Sequence, residues 1–207
     1  MTSFSITQCI SALRPRSGQR IGLLGGSFNP AHEGHLHISQ MALARLGLDA
    51  VWWLVSPQNP LKAVRGMGAL KDRLAGARTQ TRSAGGRIRV TAIEEALGTR
   101  YTVDTLSALK ARLPGVRFVW LMGADNLAQI SHWKDWQTLF RLVPIAVLPR
   151  PSYSLRALDS RAARVFAMNR QRAKGAERRL ADTKPPAWVF LNVRTHGASS
   201  TRIRRKS

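Results

Sequence analysis

The chain has 207 residues, with 33 Lys+Arg against 11 Asp+Glu, a formal net charge of +22 and 44% apolar content. The length suits one domain, and ordinary apolar content with 16 Gly and 10 Pro at no fixed period excludes a disordered or collagen-like chain. A single cysteine, Cys9, excludes an intrachain disulfide and a Cys-rich zinc centre, and points to a reducing, cytoplasmic setting.

The first twenty residues carry Arg and Ser but no acid, a composition that resembles a transit peptide. Without a sustained amphipathic period, residues 1–19 are expected to form a disordered lead, followed by one domain over residues 20–207. A first strand is predicted over residues 21–24, then a Gly- and Pro-rich loop over 25–34, and a helix over 35–46. Residues 51–55 predict a second strand in which Trp52 and Trp53 face opposite ways and serve packing. A loop over 58–68, a helix over 69–82 and a third strand over 88–93 follow. Thr102 is expected to cap a helix over 103–112, ahead of a fourth strand over 117–122. A single helix over 126–142, a fifth strand over 145–148, one basic amphipathic helix within 150–184 and a last strand over 188–193 complete the series. This alternation predicts an α/β fold, a Rossmann-like, doubly wound parallel sheet in a single domain, with ligands at the carboxyl ends of the strands. No apolar run reaches the ~18–20 residues that a membrane helix needs, so no membrane partner is expected.

The densest chemistry lies between the first strand and the first helix, in Gly25-Gly26-Ser27-Phe28-Asn29-Pro30-Ala31-His32-Glu33-Gly34-His35. The glycine pair lets a ligand approach the backbone, and His32 and His35 fall near a helix N-terminus, whose N–H groups and dipole favour anions. The loop matches neither G-x-G-x-x-G nor G-x-x-x-x-G-K-[ST]. No acid or cysteine cluster with metal-ligand spacing accompanies the histidines, so no protein metal site is expected. Residue chemistry alone leaves a phosphate-handling loop on one side and surface histidines beside a common glycine pair on the other. The far end carries Ser199-Ser200-Thr201-Arg202-Ile203-Arg204-Arg205. Hydroxyls and a guanidinium one turn later suit phosphate oxygens, whereas a basic tail read alone is a solvated one.

Together, G-G-S-F-N-P-x-H-x-G-H and S-S-T-x-I-R resemble the H-x-G-H nucleotidyltransferase superfamily. Within it, the chain resembles the bacterial nicotinate-nucleotide adenylyltransferases over about residues 21–204. The intermediate segments that support this are Val51-Trp52-Trp53-Leu54-Val55-Ser56-Pro57 with Pro60-Leu61-Lys62, Tyr101-Thr102-Val103-Asp104-Thr105-Leu106, Met122-Gly123-Ala124-Asp125-Asn126-Leu127 with His132-Trp133, and Val147-Leu148-Pro149-Arg150-Pro151. One departure is Asn29, where relatives commonly carry Asp.

The resemblance implies transfer of AMP from ATP to nicotinate mononucleotide, giving deamido-NAD and pyrophosphate without a covalent enzyme intermediate. Other acceptors, nicotinamide mononucleotide or phosphopantetheine, are the alternatives within the superfamily. It implies that His32 and His35 contact the ATP phosphates, with His35 stabilising charge on the α-phosphate. Gly25, Gly26 and Ser27 would line the nucleotide loop, and Lys62 would reach phosphate. Asp125 would accept from the adenosine ribose unless it is an ordinary helix cap. Ser200, Thr201 and Arg204 would hold the β and γ phosphates. Thr102 and Val103 would offer N–H groups to the nicotinate carboxylate, and Trp133 would stack on the pyridine ring, core packing being its rival role. Mg²⁺ is implied as the counterion of ATP.

The charge also admits a nucleic-acid partner, but no helix-turn-helix, zinc-finger or RNA-binding aromatic pattern accompanies it, so such binding is expected to be incidental. The small-molecule partners expected are ATP and nicotinate mononucleotide, and a homo-oligomer is compatible with the sequence. Residues 150–207 hold 15 of the 33 basic residues and only three acids, Asp159, Glu177 and Asp182.

Overall fold

The computed structural model describes residues 5–57, 66–150 and 154–193. Six strands, β1 (Arg20–Gly26), β2 (Ala50–Val55), β3 (Ile88–Thr91), β4 (Arg117–Gly123), β5 (Ile145–Leu148) and β6 (Trp188–Phe190), form one sheet in the order β3-β2-β1-β4-β5-β6. Every pairing is parallel. The order runs outward in both directions from β1 and β4, so the crevice between their carboxyl ends is the topological switch point where such sheets bind ligands.

The apolar runs become strands because both sheet faces are covered, which favours continuous hydrophobic segments over alternating ones. All six residues of β2 are buried. Trp52 joins Leu23, Trp120, Leu106 and Phe140 on one face, and Trp53 joins Leu24, Phe28, Leu43 and Val119 on the other. The two tryptophans thus pack on opposite faces, as their alternation predicts.

Helices α2 (Glu33–Arg45), α3 (Leu70–Thr81), α4 (Ile93–Ala96) and α5 (Thr102–Arg112) lie between the strands of the first half. Three expectations are corrected. Residues 6–13 of the supposed disordered lead form α1 (Ile6–Leu13). Ile6, Cys9, Ile10 and Leu13 fall at i, i+3, i+4 and i+7, and this stripe packs against the core once Cys9 counts as apolar. Arg89 of β3 also donates to the Leu13 carbonyl. The single helix expected over 126–142 is instead α6 (Ala124–Gln129), a 3-10 turn over Ile130–His132 and α7 (Trp136–Leu142). The break lies at extended Trp133 and at Asp135, whose φ of 46° no helix interior tolerates.

The basic helix expected within 150–184 is divided into α8 (Ser154–Leu158), α9 (Arg161–Val165) and 3-10 turns over Ala167–Asn169 and Ala176–Asp182. Ser160 caps α9 by accepting from the Ala163 N–H at 3.3 Å, and Gly175 turns the chain at φ 79°. Asp182 then accepts from Arg20 at 2.7 Å and from Arg117 at 2.6 Å, tying this segment to the amino ends of β1 and β4. Burial pushes the Asp182 carboxyl up, but the two guanidiniums outweigh it and hold the group below its usual range.

Candidate functional site

The loop after β1 is built around its glycines and Phe28. A Cβ on Gly25 would meet the Trp120 ring at 2.5 Å, so only glycine lets β1 run past that indole. Phe28 stands in left-handed backbone at φ 46°, a strain of about 1–3 kcal/mol for a bulky residue. Burial of its ring, worth about 1.5–3 kcal/mol, offsets this, as does a stack on Trp53 at 4.8 Å. The same ring lies 4.8 Å from His35, so the strained residue also supports a histidine of the motif.

His32 and His35 form a reciprocal cap on α2. The Gly34 N–H donates to His32 Nδ1 at 3.1 Å, and the His32 N–H donates to His35 Nδ1 at 3.2 Å. An Nδ1 that accepts a backbone proton cannot carry one, so both rings keep their proton on Nε2. The imidazole centroids are 3.8 Å apart at the positive end of the helix dipole.

Beside this loop a cleft of about 290 Å³ opens at the carboxyl edge of the sheet. Gly25, Gly26 and Ser27 line it from β1, Asp125 from α6, Thr102 from the start of α5, and Trp133 from the break before α7. These residues, spread over more than half the chain, converge because the switch point brings β1, β4 and α5 together. His32 and His35 lie outside that lining, where α2 begins. Val103 is buried in the first turn of α5. Lys62, Ser200, Thr201 and Arg204 lie outside the described residues.

Tyr101, not Thr102, is the N-cap of α5, which makes Thr102 and Val103 its first two helical residues. Their N–H groups have no acceptor within the helix, the arrangement that suits an anion. Lys134 donates to Asp104 at 3.1 Å and lies 4.9 Å from the centre of the Tyr101 ring, linking the start of α5 to the Trp133 segment. Trp133 is half-buried, with part of its ring against the core and its indole among the cleft walls. Asp125 meets Arg150 at 3.6 Å, and a Cβ on Gly123 would collide with its carboxylate.

Three further side chains organise the same region, and two of them, Arg73 and Glu94, belong to none of the motifs. Arg73 of α3 is buried, and its guanidinium donates to the carbonyls of Ser27 and Ser56 at 2.7 Å and of Pro57 and Gly68 at 2.9 Å. It fastens the loop after β1 to the end of β2, and burial pulls its pKa below the usual value. Asn29 donates to the Gly66 carbonyl at 2.9 Å and accepts from the Gly68 N–H at 3.3 Å, a pair of bonds that a carboxylate could not make. Glu94, only 8% exposed, lines the cleft from α4, and its carboxyl is pushed up to about 7 by burial, opposed by a hydrogen bond with Ser56.

Among the described residues, no group of three or more His, Cys, Asp and Glu side chains could hold a metal, and no helix is long and apolar enough to cross a membrane.

A family model described as Cytidylyltransferase-like matches residues 23–206. A Cereibacter sphaeroides protein named "Probable nicotinate-nucleotide adenylyltransferase" is 56% identical over 89% of this chain and 96% of its own length. A Parvibaculum lavamentivorans protein of the same name is 53% identical over 91% of this chain and 92% of its own. Among solved structures, Plasmodium falciparum nicotinic acid mononucleotide adenylyltransferase complexed with NaAD superposes with a TM-score of 0.66 at 16% identity, over 90% of this chain and 83% of that one. The last likeness bears on the fold alone. With its glycine loop, paired histidines and cleft in place, the chain belongs to the Cytidylyltransferase-like family and, within it, to the nicotinate-nucleotide adenylyltransferases.

Proposed function

We propose that the protein transfers the AMP moiety of ATP to nicotinate mononucleotide, forming deamido-NAD and pyrophosphate as a step of NAD biosynthesis. The observation that carries this is one cleft lined both by Gly25, Gly26, Ser27 and Asp125 and by Thr102 and Trp133. Two nucleotides can meet there without a covalent enzyme intermediate, and the names of the relatives favour the same pair of substrates.

In this reading the mononucleotide phosphate attacks the α-phosphorus of ATP in line, and pyrophosphate leaves. The residues contribute position and charge stabilisation, as is general for this kind of transfer. Gly25, Gly26 and Ser27 let the triphosphate approach the backbone. His32 and His35, each with its proton on Nε2, donate toward phosphate oxygens beside the α2 N-terminus, and His35 stabilises the charge that builds on the α-phosphate. Asp125, oriented by Arg150, accepts from the adenosine ribose. Lys62, Ser200, Thr201 and Arg204 complete the triphosphate contacts by sequence resemblance. The first N–H groups of α5 take the nicotinate carboxylate, and Trp133 stacks on the pyridine ring. A divalent metal is general to such reactions, and Mg²⁺ would come with the ATP phosphates as part of that substrate. The working form is cytoplasmic, its partners are these small molecules, and nucleic-acid binding is an incidental effect of charge.

The direct test is incubation with ATP, Mg²⁺ and nicotinate mononucleotide, followed by mass spectrometry. The reading requires deamido-NAD and pyrophosphate in equal amounts, and release of ADP or of orthophosphate would contradict it. Trp133→Ala is expected to raise the acceptor KM by about 5- to 150-fold, the value of roughly 1–3 kcal/mol of aromatic stacking, with kcat nearly unchanged. Steady-state kinetics with the acceptor varied checks this, and a selective fall in kcat would remove Trp133 from the stacking role.

A further inference from the structure

Glu94 is an acid in a place that handles anions. It reaches the cleft from α4, between the β1 loop and the start of α5, and its own carbonyl accepts from the Thr99 N–H at 3.0 Å, so its backbone is tied to the segment leading to Thr102. None of the ion pairs among the described residues includes it. The groups around it are few. Of the elements packed on α4, α1 offers only Cys9 as a titratable group and β2 offers none, while Glu95 is its chain neighbour. Across the cleft stand Arg100, Tyr101, Asp125, His132 and Lys134. The Ser56 hydroxyl is its hydrogen-bonding partner at the end of β2.

A carboxylate so placed would repel a ligand carrying a phosphate and a carboxylate of its own. A carboxylic acid in the same place relieves the repulsion and supplies a donor. We propose that Glu94 is a specificity-determining residue that meets the acceptor mononucleotide as a neutral acid, first taking up a proton where it is ionised, and that it donates this proton in a hydrogen bond to an anionic oxygen. The inference rests on the proposed reaction and adds to it a proton-linked binding step.

The sign follows from the near-neutral titration of Glu94. Below about pH 7 the acid is already protonated and binding costs no proton; above it, each further pH unit makes the proton up to about tenfold harder to acquire. The acceptor KM of the native protein therefore rises with pH. In Glu94→Gln, which is neutral throughout, the same ligand is bound with no such rise. Any titration of the ligand phosphate is common to both proteins, so the informative quantity is the ratio of the two profiles. Between pH 6.5 and 8.5 it is expected to change by roughly tenfold or more.

Steady-state kinetics over that range is the test, with nicotinate mononucleotide in one arm and nicotinamide mononucleotide in the other. A pH-dependent ratio in both arms assigns the bond to the phosphate, and in the nicotinate arm alone to the carboxylate. Parallel profiles for native and Gln proteins in both arms overturn the proposal. Ser56→Ala gives a second readout. Losing the hydroxyl that favours the ionised form moves the midpoint of the KM profile to higher pH, and an unmoved midpoint also overturns the proposal. Failure of the proposed reaction would appear differently, as no dinucleotide from either acceptor at any pH.

Discussion

Replacing His35 with alanine is expected to lower kcat by about 10²–10³-fold while the protein stays folded. The loss of one preorganised donor to a developing phosphate charge sets that scale, equivalent to about 2.7–4 kcal/mol in the transition state. The structural share is smaller. His35 Nδ1 accepts the His32 N–H at 3.2 Å, so the variant forfeits half of the reciprocal cap, worth about 1 kcal/mol. The ring also touches Phe28 at 4.8 Å, a contact worth about 0.5–1.5 kcal/mol. Thermal unfolding and single-turnover kinetics on the same sample separate the two effects. A variant that keeps near-native turnover would remove His35 from the reaction, and one that unfolds in step with its lost activity would make the residue a cap alone.

Arg73→Met is expected to have the largest effect on stability. Its guanidinium satisfies four carbonyls from three separate stretches of chain, at Ser27, at Ser56 and Pro57, and at Gly68. An unsatisfied buried acceptor costs about 1–3 kcal/mol, and removing the fork leaves several at once. A loss of at least about 3 kcal/mol follows, or roughly 6–12 °C in Tm for a chain of this length. Because one of these carbonyls belongs to the loop of Gly25 and Gly26, the ATP KM should rise as well. Arg73→Lys, with its donors on a single nitrogen, should recover little of either. Calorimetry together with ATP-dependent kinetics checks both, and a lysine variant of native stability would contradict the role of the fork.

The sheet was legible from sequence because parallel strands covered on both faces announce themselves as short apolar runs. Val51 to Val55, with its adjacent tryptophans, could hardly be anything else. The glycine loop and the histidine pair were legible for a related reason, since their position between a strand and a helix already fixes the chemistry of the backbone around them. Helix ends were harder. Trp133 and Asp135 break a pattern that hydrophobic spacing carries straight through, because left-handed backbone at an Asp depends on its surroundings. The stripe of α1 was obscured by Cys9, whose apolar character shows only when it packs. Arg73 and Glu94 left no signal at all. An arginine bonded to backbone carbonyls has no partner residue type to look for, and a buried glutamate reads like any exposed one until the fold encloses it.

The central claim is that this cleft joins ATP to a mononucleotide bearing a carboxylate. The most direct measurement is kcat/KM for nicotinate and nicotinamide mononucleotide, with ATP and Mg²⁺ saturating. In the proposed reading two first-turn N–H groups of α5 take the carboxylate, whereas an amide offers them only a neutral carbonyl, so nicotinate mononucleotide should be preferred by at least about tenfold, the value of one charge-assisted hydrogen bond. Equal values, or a preference for nicotinamide, would contradict the account.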